Sequence, residues 1–206
     1  VSNATFHRGV HLSAWATAAF TLPLIFIGGL VTSKGVGLAV PDWPNSFGYN
    51  MWYFPPSQWI EGIFYEHVHR LKGTIVGFCS IVLVLQAWGP AANPFLRKLL
   101  GIVGLAMLGM GILLSFSLFT LEGAANRVMQ HTLSGFKGIG LICIAAYFAR
   151  VRHTSRLVRW LSVAVLIAVI FQGLLGGLRV TEISTTLAIV HGCFAHAFFA
   201  LVVTMI

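Results

Sequence analysis

Three histidines stand at comparable positions in the sequence, each near the start of a long apolar stretch: His69, His131 and His191. An ionisable side chain inside such a stretch is costly and is usually kept for a function. Neutral imidazole is the commonest metal ligand among side chains and a standard axial ligand of haem iron. Two facing helices, each offering one histidine, can hold a cofactor between them. The plain alternative is that each histidine caps a helix or bonds a neighbour. One histidine alone favours that alternative; three at matched depth favour a shared cofactor site.

The densest cluster is Glu66-His67-Val68-His69-Arg70. Residues three or four apart share a helix face, so Glu66 goes with His69 and can also pair with Arg70. His67 points elsewhere and ranks below His69. A carboxylate early in a helix is favoured by the helix dipole, which gives Glu66 an ordinary structural reason. Beside a redox cofactor the same group would accept a proton or stabilise developing positive charge. His196, five residues beyond His191, falls on another face and reads as a packing or hydrogen-bonding residue. His7, His11 and His153 lie at the opposite helix ends and read as solvated.

The elements that must carry these residues are transmembrane helices. Hydrophobic residues make up 57% of the chain and charged residues 9%. A soluble domain carries about 25% charged residues, so the polar surface it needs is missing. Six apolar runs approach the roughly 20 residues that cross a bilayer: 12–33, 66–88, 96–120, 131–149, 157–178 and 185–206. No alternating strand pattern appears, and backbone groups in lipid must be satisfied internally, so the expectation is an all-α, polytopic bundle of about six helices in a single domain. The net charge of +8 does not indicate a nucleic-acid partner, because the basic residues sit between the apolar runs rather than on one polar face. Arg8, Arg97, Lys98, Arg150, Arg152, Arg156 and Arg159 cluster at one set of ends, which the positive-inside rule puts in the cytoplasm together with the amino terminus. Lys34, Arg127 and Arg179 fall in the opposite loops; Arg70, Lys72 and Lys137 fall in the first turns of helices on that side, where Asp42, Glu61, Glu66, Glu122 and Glu182 also lie. The chain starts at Val1 and ends within an apolar run, and so reads as a piece of a longer protein. Its first run is too long for a signal-peptide core.

The loop 34–65 is rich in turn formers and aromatics. Trp43, Trp52, Tyr53 and Trp59 suit either headgroup anchoring or a cover over a site. A weak internal repeat relates 26–32 (FIGGLVT) to 175–181 (LGGLRVT); each precedes an outer loop and a helix with an early histidine. Its glycine pairs are best explained by close helix packing. Cys79, Cys143 and Cys193 lie in apolar runs and read as small packed side chains, with no zinc or disulfide spacing.

GGLVTSKGVGLAVPDWP (28–44), EHVHRLKG (66–73), and QGLLGGLRV (172–180) with IVHGCFAHAFF (189–199) together resemble the haem A synthase family, the bacterial and mitochondrial enzymes that convert haem O to haem A. The family has eight helices in two similar four-helix halves, each with a histidine pair for one haem. The resemblance covers the amino-terminal half, carried by 12–89 and 157–206, with 90–150 as an extra hairpin. It implies Glu66 as the catalytic carboxylate, His69 as one iron ligand and His191 as the other, with His131 competing for that place. Arg70 or Arg179 would suit haem propionates, since guanidinium–carboxylate pairing is physically apt, although no motif assigns either. The half that would bind a haem b cofactor has no counterpart. Many bacterial members carry two cysteines flanking the PDWP segment; here those positions hold Val40 and Ser46, so no thiol step can occur there.

The function expected from this resemblance is oxidation of a haem O methyl group to the formyl group of haem A, for terminal oxidase assembly. The setting would be a bacterial plasma membrane, and the partners membrane lipid, a haem O synthase and an electron donor. The chief rival is a di-histidine cytochrome b acting only in electron transfer. A third reading is a transporter or structural membrane subunit without haem.

Overall fold

The computed structural model describes residues 7–89, 93–119, 123–149 and 154–206. Arg150, Arg152, His153 and Glu122 lie outside the described residues. Among those described, six helices are long and apolar enough to cross a membrane: α1 (Arg8–Ser33), α2 (Glu61–Trp88), α3 (Pro94–Leu113), α4 (Gly123–Phe148), α5 (Arg156–Thr181) and α6 (Thr185–Val203). A 3-10 segment, Leu114–Phe119, extends α3. No strand occurs among the described residues, and the chain has the all-α architecture of an integral membrane protein.

Two helices begin earlier than hydropathy suggests. α2 starts at Glu61 and α4 at Gly123, because polar residues end an apolar run without ending the helical hydrogen-bond ladder. The loop between α1 and α2 therefore closes at Ile60. His69 and His131 stand two turns inside their helices, and His191 nearly two. Lys137 is not in a first turn, as its place in the sequence suggests, but in the middle of α4.

α1 packs on α2 and α6, and α5 packs on the same two helices. The four form a closed ring in which α2 and α6 face each other along one diagonal, and α1 and α5 along the other. At the end away from the 34–60 loop, Val10, Ala14 and Ala18 of α1 meet Val76, Leu83 and Ala87 of α2, Val165 of α5, and Phe198 and Val202 of α6 in a buried apolar core. α3 and α4 pack chiefly on each other and meet the ring through α2. Their contact depends on small residues: a Cβ on Gly104 would lie 2.9 Å from the Gly140 carbonyl, and one on Gly101 3.0 Å from the Tyr147 ring. Such glycines let helix backbones approach in lipid, where packing rather than the hydrophobic effect drives association.

Candidate functional site

At the loop end of the ring, the apolar core gives way to polar side chains. His69 of α2 and His191 of α6 meet across the diagonal, with ring centroids 6.2 Å apart and planes at 77°. Nδ1 of each ring is buried without a well-formed hydrogen bond, while the main chain of Leu24 on α1 meets the His69 ring and that of Gln172 on α5 meets the His191 ring as acceptors.

Both rings are seated the same way. A Cβ on Gly28 of α1 would lie 3.0 Å from His69 Cε1, and a Cβ on Gly176 of α5 would lie 3.0 Å from His191 Cε1. Gly28 and Gly176 are equivalent positions of the internal repeat. Each hairpin, α1–α2 and α5–α6, therefore carries a glycine notch that receives its own histidine. The glycine pairs do serve close packing, as the sequence suggests, but what packs there is an imidazole.

The spacing suits a shared metal. A metal–imidazole bond of about 2 Å on either side, added to the roughly 1 Å from ring centre to ring nitrogen, sets two opposed imidazoles about 6 Å apart. Among the described residues, no group of three or more His, Cys, Asp or Glu side chains is gathered to hold an ion. Two imidazoles alone suit a metal whose other positions are filled by its own macrocycle.

Above the pair lies the 34–60 loop, fastened to α2 by a buried ion pair. Arg70 Nη2 and Glu66 Oε1 are 2.7 Å apart, with side chains 7% and 2% exposed. The second carboxylate oxygen, Oε2, accepts the Val40 N–H at 3.0 Å. Arg70 also donates to the carbonyls of Val40 at 2.6 Å, Asn45 at 2.8 Å, and Asp42. The guanidinium presents five donors in a rigid fork, which is why one arginine can gather three carbonyls of a turn and a carboxylate. Arg70 thus directs both terminal nitrogens at protein groups.

Arg179 ends α5 beside the same cluster. It donates to the Gly37 carbonyl at 2.8 Å, and its charge acts on His69, His191 and Glu66. Gly177, next to the notch glycine, carries the Trp43 indole: a Cβ there would lie 2.5 Å from the ring. The PDWP segment therefore reaches across from α2 to α5. Asp42 braces its turn by accepting the N–H groups of Phe47 at 2.7 Å and Gly48 at 2.8 Å. This favours the covering role for the loop.

His67 fastens the same loop from beneath. It is fully buried, bonds Ser46 Oγ through Nδ1 at 2.9 Å, and packs against the rings of Phe54 and Trp59 at 5.0 and 4.7 Å. It does point away from His69, but into the loop. Its signal was the aromatic run 47–59, which needs something to close on. Val40 and Ser46 are both fully buried on this fastening.

α4 holds the far side of the loop. Gln130 Oε1 accepts the Asn50 N–H at 3.0 Å, and Lys137 Nζ donates to Tyr53 Oη at 2.6 Å. His131 belongs to this contact: it is exposed, and its Nδ1 lies 3.3 Å from Asn50 Nδ2. Of the two candidates to face His69, His191 does so. His196 bonds the Gly192 carbonyl at 2.9 Å. His11 is not simply solvated: it bonds the Ile206 carbonyl at 2.9 Å and accepts the Trp15 indole N–H at 3.1 Å.

No family model matches the chain, and no curated protein and no solved structure matches it.

Proposed function

We propose that this chain handles haem in the manner of the haem A synthases, holding haem O between His69 and His191 while a methyl group is oxidised to a formyl group. The observation that carries this reading is the pair of part-buried imidazoles facing each other 6.2 Å apart, each in a glycine notch, in a chain whose motifs resemble that family. When bound, the haem would supply the iron and the reacting methyl group.

The chain's own residues would bind, orient and shield it. His69 and His191 would hold the iron, with Gly28 and Gly176 fixing the ring orientations. Arg179, partly buried beside both histidines, is the cation available for a propionate, since charged guanidinium–carboxylate bonds are strong. Glu66 gives both oxygens to Arg70 and Val40, which suits a carboxylate that stabilises positive charge better than one that accepts a proton. The loop carrying Trp43 would limit water. A haem O synthase would supply the substrate, and a second haem in a haem b half would relay electrons, with an electron donor as a further partner. The site would lie near the outer face of a bacterial plasma membrane, with the amino terminus in the cytoplasm.

One observation favours the rival cytochrome. Glu66 has a structural task in holding the loop, so its presence does not require catalysis. Glu66→Gln, which keeps an acceptor for Val40, separates the two. Loss of haem conversion with retained haem binding supports the synthase; unchanged electron transfer with no conversion in either protein supports the cytochrome.

The test is to co-express the chain with a haem O synthase and determine the mass of the extracted pigment. Haem O, haem A or an oxidation intermediate between them supports the proposal. Haem b alone favours the cytochrome. Absence of pigment defeats both and leaves the histidines structural.

A further inference from the structure

The end of the bundle away from the 34–60 loop carries a guanidinium that the protein leaves unspent. Arg159 lies one turn into α5 and is half-buried. Arg70 and Arg179 direct terminal nitrogens at main-chain carbonyls. The Arg159 side chain makes no hydrogen bond or ion pair among the described residues. Its position is nonetheless fixed. Cζ stands 5.4 Å over the Trp88 ring at the end of α2, a cation–π contact. The Trp88 indole donates in turn to the Arg159 carbonyl at 3.1 Å and meets the Trp160 ring edge-on, with centroids 5.6 Å apart. The Thr154 hydroxyl donates to the Ala87 carbonyl beside Trp88, joining the approach to α5 to the end of α2.

Stacking occupies the face of a guanidinium and leaves the donors along its edge. Burial of Nε shows that the stem is pressed into the α2–α5 seam, with the terminal nitrogens presented outward. Those two nitrogens form a fork that fits two oxygens of a phosphate or carboxylate. An arginine that merely reaches for water keeps a mobile head; this one is held by an indole. The surroundings decide what meets it. Arg8, Arg97, Lys98 and Arg156 stand at the same end, and among the described residues no Asp or Glu does. A charge at the membrane without a counter-charge is costly, so an anion from outside the chain is favoured here. Trp88 and Trp160 are 42% and 54% exposed, which suits the headgroup level of a bilayer, where tryptophan is enriched.

We infer that this end of the α2–α5 seam binds the phosphate of an anionic phospholipid, with the terminal nitrogens of Arg159 as its donors. Charge selects the class. Basic segments beside a membrane attract anionic lipids, whereas the choline or ethanolamine cation of a neutral phospholipid would meet only like charges. A phosphate carried on acyl chains also suits the two tryptophans, whose apolar rings lie beside the guanidinium. The site is at the opposite end of the bundle from the histidine pair and does not depend on the haem reading.

The experiment counts bound lipid by native mass spectrometry on detergent-purified protein titrated separately with phosphatidylglycerol and phosphatidylcholine. The expected result is that wild type binds phosphatidylglycerol about tenfold more tightly, the size of one charged hydrogen-bonded contact. Arg159→Gln should lose that preference. Arg159→Lys, which keeps the charge but not the fork, should lose most of it and carries the same test where the glutamine variant does not fold. Trp88→Leu should weaken the lipid by unseating the guanidinium. Arg8→Gln removes the same charge from the same end and should change nothing. Equal affinity of wild type for the two lipids overturns the inference. So does a preference that both Arg159 variants retain, or a loss from Arg8→Gln as large as that from either of them, which reduces the effect to overall charge. Displacement of the lipid by an equal concentration of inorganic phosphate also overturns it, leaving a site for free phosphate.

Discussion

The α1–α2 and α5–α6 hairpins are built on one plan and finished differently. Each seats a histidine in a glycine notch, Gly28 for His69 and Gly176 for His191, with the same 3.0 Å approach. Their connections open with the same turn, Lys34, Gly35 and Val36 donating to Leu30, Thr32 and Val31 as Glu182, Ile183 and Ser184 donate to Leu178, Val180 and Arg179, and then diverge. α5 passes to α6 through a tight turn, with Ser184 accepting the Leu187 N–H as a helix cap. α1 passes to α2 through a long loop gathered by Arg70 and Glu66 and pinned by His67. The second glycine of each pair shows the same divergence: Gly177 carries Trp43, while Gly29 meets nothing within 4 Å. What the hairpins share is the seating of one imidazole in a neighbouring helix. What only one of them has is the cover.

The largest test of the shared part is removal of either imidazole. His69→Ala and His191→Ala should each abolish bound haem, seen as loss of the absorbance band in purified protein, whereas His131→Ala should keep it. Pigment that survives loss of His191 but not of His131 would end the comparison. The unshared part breaks next. Arg70→Ala leaves the buried Glu66 carboxylate unpaired, and removing one partner of a buried pair costs about 3–5 kcal/mol. Thermal unfolding in detergent should show that loss, with faster proteolysis within 34–60. On the other hairpin, Ser184→Ala should cost only about 1 kcal/mol, as for an ordinary helix cap.

The second glycines sharpen the contrast further. Gly177→Ala drives a methyl group into the Trp43 ring and should cost about 1–3 kcal/mol, as overpacking does, with a change in tryptophan fluorescence. Gly29→Ala should be neutral, or stabilising by up to about 1 kcal/mol through helix propensity. The smallest effect concerns the notches. Gly28→Ala and Gly176→Ala should each retain haem and shift its spectrum by similar amounts, because each displaces one imidazole by a few tenths of an ångström. A shift from only one of them would show that the two seats are not equivalent.

Much of this was legible before any coordinates. Apolar run length located all six helices, because a bilayer imposes that length. The EHVHR spacing put Glu66 and Arg70 within reach of each other, because helical geometry fixes which residues share a face. The glycine repeat was visible, but its meaning was not: the ring filling each notch comes from a neighbouring helix, and local sequence does not say which. The grip of Arg70 on Val40, Asp42 and Asn45 was invisible for a different reason. It uses main-chain carbonyls, which every residue has. Lys137 misled because a lysine near a span boundary usually marks topology, whereas here it meets a tyrosine of the loop. The starts of α2 and α4 were set too late, since hydropathy reports where lipid begins and not where the helix does.

The glycine notches have one more consequence, for affinity. An imidazole lodged against a neighbouring backbone has little rotameric freedom left. Immobilising a side chain on binding ordinarily costs about 0.5–1.5 kcal/mol. His69 and His191 meet that cost when the helices assemble, before any ligand arrives. The two rings are preorganised, and a ligand that joined them would be spared that ordering cost.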